Sequence, residues 1–159
     1  MLIRNSDTRD FKRIIPRLNE WWGGREVAHL LPRFLFEHFQ DTSFIVEEDD
    51  HIVGFLIGFR SQTREDEAYI HLIGVHPDFR KLGLGRKLYH TFFAKVQEMN
   101  INKVYAITSP INEHSILFHR QMGFLIIPGD EEVNGVSVQT NYDGQGNDRV
   151  LFVKDLSKR

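Results

Sequence analysis

Residues 76–93, HPDFRKLGLGRKLYHTFF, combine three features that could bind an anion. Gly83 and Gly85 remove side chains, so a ligand can approach the backbone closely. A helical pattern follows at once, and the first N–H groups of a helix lack internal partners and carry partial positive charge. Four basic side chains surround the same turn: Arg80, Lys81, Arg86 and Lys87. In a chain of net charge −2, this concentration favours a phosphate or pyrophosphate site.

Two common phosphate-binding loops fit this stretch less well. A dinucleotide-binding loop needs a third glycine three residues after Gly85, where this chain has Leu88. A P-loop ends in Gly-Lys followed by Ser or Thr, a sequence that residues 83–88 do not contain. The alternative without a ligand is a tight turn from strand to helix with a solvated basic rim.

The composition limits the classes of protein to which this chain can belong. With 159 residues, 41% of them hydrophobic and 26% charged, it can bury the core of one globular domain. The net charge of −2 gives no bulk attraction to nucleic acid or to an anionic membrane. The absence of cysteine excludes disulfides, thiolate nucleophiles and cysteine-bound zinc.

Other patterns bear on location and on metal binding. The N-terminus is charged and lacks the apolar run of a signal peptide. The longest apolar stretch, Ile52–Phe59, is far shorter than the ~20 residues that a membrane-spanning helix needs. We therefore expect a soluble, cytoplasmic protein. His114 and His119 are five residues apart, the wrong spacing for two ligands on one helix face, so no metal site is expected.

Hydrophobic periodicity predicts strands and helices on both sides of the glycine loop. Strands are expected at residues 2–3, 42–47, 51–60, 68–75, 103–108, 124–127 and 149–156. Helices are expected after a cap at Asp7, from Leu30 to Phe39, from Leu84 to Met99, and from a cap at Asn112 to Gly123. Residues 128–148 are expected to form a loop or a hairpin. This order predicts a mixed α/β domain with helices on both faces of a sheet.

Two segments together resemble the motifs of the GNAT superfamily of N-acetyltransferases. The stretch Val75–Gly85 is similar to the acetyl-CoA-binding pattern Q/R-x-x-G-x-G/A that follows a strand. Downstream come the residues of a second family motif: Asn112, Ser115, Phe118, His119 and then Met122-Gly123-Phe124. The resemblance spans Leu2 to Phe152. It implies a single GNAT domain over residues 1–159, with a mostly antiparallel sheet and a splay between strands 4 and 5.

The resemblance implies acetyl-CoA as the cofactor and assigns residues to it. The pyrophosphate is expected on the backbone of Arg80, Lys81, Leu82, Gly83, Leu84 and Gly85, with Arg86 adding charge. The pantetheine arm is expected along Ile73, Gly74 and Val75, and the Val75 N–H is expected to donate to the thioester carbonyl. Side chains expected beside the same arm are those of Asn112, Ser115, Phe118 and His119. Asn112 would serve equally as the N-cap of its helix.

Acetyl transfer to a primary amine requires a base, because an amine with a pKa of about 10.4 is protonated at neutral pH. Alternation predicts that Tyr69, His71, Ile73 and Val75 share one face of their strand. His71 is the preferred base, with Glu67 and Tyr69 as alternatives and a purely structural His71 left open. His119 stands where many family members have a tyrosine that acts as general acid toward the leaving thiolate. The imidazole could orient or protonate the sulfur in its place, or it could have only a structural role.

The acceptor site is expected between the first two helices and the C-terminal hairpin. Trp21, Trp22 and Arg25 could wall a pocket, and the tryptophans could equally fill the core or form a dimer interface. The loop 141–148, which contains Tyr142, could attract a cationic amine or be only a hairpin turn. Expected partners are a small-molecule or peptide amine and a possible second copy of the chain, but neither nucleic acid nor a membrane.

The sequence therefore supports one leading hypothesis and one alternative. The leading hypothesis is an N-acetyltransferase that moves an acetyl group from acetyl-CoA to an amine by direct attack in a ternary complex. The alternative is a non-catalytic module that binds or senses acyl-CoA on the same fold. Nothing in the sequence identifies the amine.

Overall fold

A seven-stranded sheet is the centre of the fold in the computed structural model, which describes residues 1–157. Within these residues the strands are β1 Leu2–Asn5, β2 Phe44–Glu48, β3 His51–Arg60, β4 Glu67–Val75, β5 Lys103–Thr108, β6 Leu125–Ile126, β7 Glu131–Val133, β8 Val136–Val138 and β9 Val150–Asp155. The sheet order is β1-β2-β3-β4-β5-β9-β6, and β7 and β8 form a separate hairpin. The expected domain 1–159 ends in two residues, 158 and 159, that lie outside the described ones.

Helices cover both faces of this sheet, as the sequence predicts. They are α1 Asp10–Trp21, α2 Phe34–His38, α3 Leu84–Glu98 and α4 Glu113–Gln121, with 3₁₀ turns at Ala28–Leu30, Gln40–Thr42 and Pro77–Phe79. One hydrophobic cluster packs beneath α3 and α4, and a second packs beneath α1 and α2. Among residues 1–157, no helix combines the length and the apolar character that crossing a membrane requires.

Strands β4 and β5 diverge after three paired residues. They pair in parallel at Glu67–Tyr69 against Lys103–Tyr105, and within the described chain their pairing stops there. Strand β4 continues to Val75 on β3, and β5 stays paired with β9 along its whole length. The expected splay is therefore confirmed, and it leaves a gap edged by backbone groups of β4.

A β-bulge interrupts β4 beside this gap. Ile57 pairs with Leu72 and Gly58 pairs with Ile70, so His71 is the extra residue. Before the bulge Ile70 packs into the cluster beneath α3, and after it Ile73 does. The prediction that Tyr69, His71, Ile73 and Val75 share one face is therefore wrong, because one inserted residue reverses the alternation.

Tyr69 shows the reversal directly. Its ring stacks on that of Phe59, with the centroids 5.4 Å apart, and Phe59 contacts Phe39 on the face covered by α1 and α2. Ile73 and Val75 instead pack on the α3 side.

The second predicted helix is broken in two. The residues from Leu30 to Phe39 form the end of a 3₁₀ turn and the short helix α2 rather than one continuous helix. Pro32 lies between the pieces, and a proline inside a helix removes one backbone donor and clashes with the preceding turn. Asp7 also differs from expectation: its carboxylate accepts the N–H of Arg9, and α1 begins only at Asp10.

Gly58 tests how closely α3 packs on β3. A Cβ at this position would lie 2.6 Å from Cε2 of Phe92 and 2.9 Å from the backbone oxygen of Tyr69. Since the backbone oxygen belongs to the neighbouring strand and cannot retreat freely, Gly58→Ala is expected to lower the free energy of unfolding by about 1–3 kcal/mol. Urea unfolding of the two proteins measures the difference.

Gly54 on the same strand is the matched control. A Cβ there would meet its nearest neighbours at 3.5 Å, an ordinary contact distance. Gly54→Ala is therefore expected to change the free energy of unfolding by less than about 0.5 kcal/mol. Equal losses in the two variants would contradict the packing described for α3.

Candidate active site

The segment between β4 and α3 is shaped to leave backbone donors open. Lys81 and Gly83 have φ values of 66° and 79°, and Gly83 is the N-cap of α3. The first α-helical bond runs from the Lys87 N–H to the Gly83 carbonyl, so the N–H groups of residues 84–86 have no partner within the helix. No described heavy atom lies within 4 Å of the place where a Cβ on Gly83 would stand. This helix end can accept an anion against its backbone.

The open helix end adjoins the gap between β4 and β5. A Cβ on Gly85 would lie 3.4 Å from Phe118 on α4 and 3.8 Å from Ile73 on β4, so three elements meet at this residue. The His76 N–H donates to the Val53 carbonyl on β3 at 2.8 Å. Because backbone groups alternate in direction along a strand, those of Val75 and Ile73 face the gap instead. A ligand held at α3 can therefore continue along β4.

The Arg80 side chain points away from this anion site. Its Nε donates to the Val75 carbonyl at 3.3 Å, and its Nη2 donates to the carbonyl of Trp21 at the end of α1. The Arg80 guanidinium is therefore not directed at the phosphate site, contrary to expectation. The backbone of Arg80 still belongs to the loop. Lys81, Leu82, Arg86 and Lys87 are exposed around the same turn, so basic side chains remain available there.

The second predicted motif forms the start and the inner face of α4. Asn112 caps the helix as expected, because its Oδ1 accepts the N–H of Ser115 at 3.2 Å. Phe118 lies at the gap beside Gly85. His119, in contrast, is only 4% exposed, and its ring stacks on Phe152 with the centroids 4.4 Å apart. The motif thus contributes both to the gap and to the core.

Both ring nitrogens of His119 are engaged inside the protein. Nδ1 lies 2.7 Å from the Ser115 carbonyl oxygen, and Nε2 lies 2.7 Å from the Tyr89 hydroxyl. A carbonyl only accepts, so Nδ1 carries the hydrogen and Nε2 accepts the Tyr89 O–H. Burial lowers the pKa of His119, and the hydrogen bond that its ring donates to the Ser115 carbonyl opposes this shift only in part. Burial raises the pKa of the Tyr89 hydroxyl. Both side chains are therefore neutral at physiological pH.

This pairing changes the role expected for His119. Its single ring proton is held by the Ser115 carbonyl, so it has none to donate to a thiolate. The partner of His119, Tyr89, lies on the core-facing side of α3 and belongs to neither of the two sequence motifs. The signal was present, because a tyrosine at a helix position that packs inward needs a hydrogen-bond partner.

One hydrogen bond determines the tautomer of a neutral His71 ring. Its Nε2 contacts the Leu30 carbonyl oxygen. Since the carbonyl only accepts, the hydrogen of the neutral ring is on Nε2 and the lone pair is on Nδ1. The bulge places this residue opposite the 3₁₀ turn Ala28–Leu30, on the face of the sheet that α1 and α2 cover.

The two alternative bases are less suited to the task. Burial, followed by the nearby Tyr142 and Asp143, raises the pKa of Tyr69 to about 12, so this phenol keeps its proton at neutral pH. Glu67 is already engaged, since its Oε1 accepts the Tyr105 hydroxyl at 3.2 Å and its Oε2 lies 3.6 Å from Arg64.

The two tryptophans of the predicted pocket have different positions. Trp21 is 3% exposed and belongs to the core beneath α1. Trp22 is half-buried and lies over β4, where a Cβ on Gly74 would stand 2.8 Å from its Cη2. Arg25 is exposed on the turn that follows. Of the aromatic pair, Trp22 is thus the one that borders the gap.

The loop after β8 approaches the start of β4. Tyr142 is 50% exposed, and the neighbouring Asp143 forms an ion pair with Arg149 at 3.0 Å. Tyr142 and Asp143 lie near enough to Tyr69 to raise the pKa of its phenol. The structure brings Trp22, His71 and Tyr69 to the side of β4 that faces α1 and α2.

Comparison with known proteins gives one family and several relatives. Residues 8–124 match the sequence model of the Acetyltransferase (GNAT) family. The L-2,4-diaminobutyric acid acetyltransferase of Shouchella clausii (strain KSM-K16) is 30% identical over 86 residues, which are 54% of this chain and 48% of that protein. The chain spans about half the length of the curated relatives it matches.

Solved structures show the same fold. Ard1 from Thermoplasma volcanium superposes with a TM-score of 0.79 at 21% identity, covering 98% of this chain and 97% of that one. The diaminobutyrate acetyltransferase of Paenibacillus lautus, in complex with L-2,4-diaminobutyric acid and coenzyme A, gives a TM-score of 0.71 at 17% identity, with coverage of 98% and 95%.

The buried His119 predicts a pH dependence of stability. The pKa of His119 is lowered in the folded protein and is about 6.5 in the unfolded chain. At pH values between these two, the unfolded chain binds a proton that the folded protein does not. The free energy of unfolding is therefore expected to fall as the pH drops through this window. Urea unfolding at about pH 7.5 and about pH 5 measures the fall.

Two variants separate His119 from the other titrating groups. His119→Gln removes the titration, so the difference between the two pH values is expected to shrink. Tyr89→Phe removes the hydroxyl but keeps the buried ring, so the difference is expected to persist. A His119→Gln protein with the same pH dependence as the wild type would show that other groups cause it.

Proposed function

Because the chain belongs to the acetyltransferase (GNAT) family, we propose that it transfers an acetyl group from acetyl-CoA to a primary amine bound at the same time. The observation that carries this proposal is the gap between β4 and β5, which begins at the open N-terminus of α3. An anion-binding helix end joined to a strand with free backbone groups suits a ligand with a phosphate and a peptide-like arm.

The residues present fit coenzyme A. The free space at Gly83 and the unpaired N–H groups of residues 84–86 suit its pyrophosphate, with Lys81, Arg86 and Lys87 adding charge. The backbone of Ile73 and Val75 suits the pantetheine amides, as a strand would. Phe118 faces Gly85 across the gap, and Asn112 and Ser115 lie at the start of the same helix. Acetyl-CoA supplies an activated thioester there.

His71 is the general base of the proposed reaction. An amine with a pKa of about 10.4 is roughly 4–5 kcal/mol away from its reactive form at neutral pH. The Nδ1 lone pair of His71 takes the proton while the Leu30 carbonyl fixes the ring. As the amine nitrogen bonds to the acetyl carbon and the C–S bond breaks, the Val75 N–H donates to the carbonyl oxygen.

The reaction as proposed needs no dedicated acid. The nitrogen loses its second proton as the amide forms, and water relays that proton to the departing thiolate, since a thiol has an ordinary pKa of about 8.5 and is mostly protonated at neutral pH. His119 is therefore proposed as a structural partner of Tyr89. Tyr69 keeps its own proton and serves as a hydrogen-bond donor beside the acceptor.

The acceptor is proposed to be a small molecule with more than one charged group. Asp143 and Arg149 form an ion pair near Tyr69, so both signs of charge border this side of β4. A diamino acid carries an amine to acetylate together with a second ammonium and a carboxylate. The named activity of the curated relatives makes L-2,4-diaminobutyrate the first acceptor to test, with a polyamine and a peptide amine as comparisons.

Gly83→Asp tests the cofactor site. The added carboxylate would face the anion at the start of α3, so acetyl-CoA is expected to bind at least tenfold more weakly, a loss of about 1.4 kcal/mol or more. Gly135→Asp is a close match, because Gly135 also has a φ of 79° and open space around its Cβ, on the turn between β7 and β8. Calorimetry is expected to show normal acetyl-CoA binding in this control.

This titration and an assay of thiol release together decide between the two functions considered. Equal losses in Gly83→Asp and Gly135→Asp would place the binding site elsewhere. Binding by the wild type without amine-dependent release of thiol would favour the non-catalytic acyl-CoA module.

His71→Gln tests the base. Glutamine can still donate to the Leu30 carbonyl but cannot accept a proton, so kcat is expected to fall by about 10²- to 10⁴-fold with little change in acetyl-CoA affinity. His51→Gln is the control, since the ring of His51 also contacts a backbone carbonyl, that of Asp49, but at the start of β3. Thiol release measures kcat for both. A fully active His71→Gln enzyme would exclude the assignment.

A further inference from the structure

Gly74 and Trp22 are in direct contact on the α1 face of β4, near the open end of the gap. A Cβ on Gly74 would lie 2.4 Å from Cε1 of Phe55 and 2.8 Å from Cη2 of Trp22, so no side chain fits between the strand and these rings. Gly74 stands between Ile73 and Val75, whose backbone groups face the gap. The six-membered ring of Trp22 therefore rests against β4 between these two residues.

The turn that carries Trp22 is fixed at both of its ends. Its backbone bonds back onto α1, since the Trp22 and Gly24 N–H groups donate to the Asn19 carbonyl at 3.2 and 2.8 Å. The Asn19 side-chain oxygen also accepts the Val27 N–H at 2.9 Å. These bonds hold the backbone that carries Trp22, and its indole packs against Phe55 and Gly74, so the residue forms a wall over β4.

The Arg80 side chain links the turn that carries Trp22 to the end of β4 by hydrogen bonds. Its guanidinium donates to the carbonyl of Trp21, the residue before Trp22, and to the carbonyl of Val75, the residue after Gly74. The turn is therefore attached to the end of β4 twice, once by these two hydrogen bonds and once by the Trp22–Gly74 contact.

Trp22 and helix α3 lie on opposite faces of the sheet. Helix α3, whose N-terminus suits the pyrophosphate, packs on one face, while α1 and Trp22 pack on the other. In the proposed function a pantetheine arm leaves α3, passes Val75 first and Ile73 next, and carries its thioester through the gap towards the second face. Trp22 stands on that face against Gly74, the residue between Val75 and Ile73.

We propose that Trp22 restricts the acyl group of the thioester to acetyl, and that Arg80 is the positioning residue that holds Trp22 in place. This inference rests on the proposed function and adds a specificity determinant to it. A longer acyl chain would have to displace an indole that contacts Phe55 and the backbone of Gly74. Tight packing makes that displacement costly.

Binding of acetyl-, propionyl- and butyryl-CoA tests the proposal without knowledge of the amine. The wild type is expected to bind butyryl-CoA at least about tenfold more weakly than acetyl-CoA. In Trp22→Ala this ratio is expected to fall towards one, because the space of the indole becomes available. Trp22→Phe, with a smaller ring, is expected to give an intermediate ratio, and calorimetry measures all three.

Arg80→Gln and Phe34→Ala complete the design. Arg80→Gln is expected to lower the butyryl-to-acetyl ratio of dissociation constants, whereas a merely structural loss would weaken both ligands equally. Phe34 is an aromatic residue of α2 that is 54% exposed, so Phe34→Ala is expected to keep the wild-type ratio. Thermal melts establish that each variant is folded.

The outcomes separate this inference from the proposed function. Wild-type protein that binds no acyl-CoA would overturn the proposed function itself. Wild-type protein that binds acetyl- and butyryl-CoA equally well, or folded Trp22→Ala and Trp22→Phe proteins that keep the wild-type ratio, would overturn the role of Trp22 while leaving the proposed function intact.

Discussion

The parting of β4 from β5 is the constraint on which the rest of this structure depends. A sheet normally satisfies the backbone groups of every inner strand on both sides. Strand β4 stays paired with β3 and β5 stays paired with β9, while the edge of β4 from Ile70 to Val75 has no strand beside it. On this edge the Val75 carbonyl accepts the Arg80 side chain. The helix end at Gly83 opens onto the same gap, and the two together form one continuous surface of backbone donors and acceptors.

The bulge at His71 gives the two faces of β4 separate tasks. Ile73 and Val75 pack beneath α3, on the side suited to a cofactor, whereas Tyr69 packs on the side covered by α1 and α2. One inserted residue thus allows a single strand to serve both halves of the proposed site. The contact between His71 and the Leu30 carbonyl then sets which ring nitrogen is free.

Local patterns in the sequence predicted the elements and the open helix end at Gly83, but they did not predict features that depend on contacts with distant residues. Strands His51–Arg60 and Lys103–Thr108 have the predicted bounds, because their hydrophobic pattern and flanking turns depend only on residues close in sequence. The bulge depends on the register between β3 and β4, which no single strand encodes. The direction of Arg80 and the pairing of His119 with Tyr89 likewise arise from residues distant in sequence. The break at Pro32 was visible in the sequence and was missed.

The anchored turn at the end of α1 also has an optical consequence. Trp21 and Trp22 are the only two tryptophans of the chain, and they are adjacent in the segment that Arg80 ties to β4. The intrinsic indole emission of the whole protein therefore originates at one place, where α1 meets the end of the gap. Any shift in that emission when a ligand is added reports on this junction, and no extrinsic label is needed to observe it.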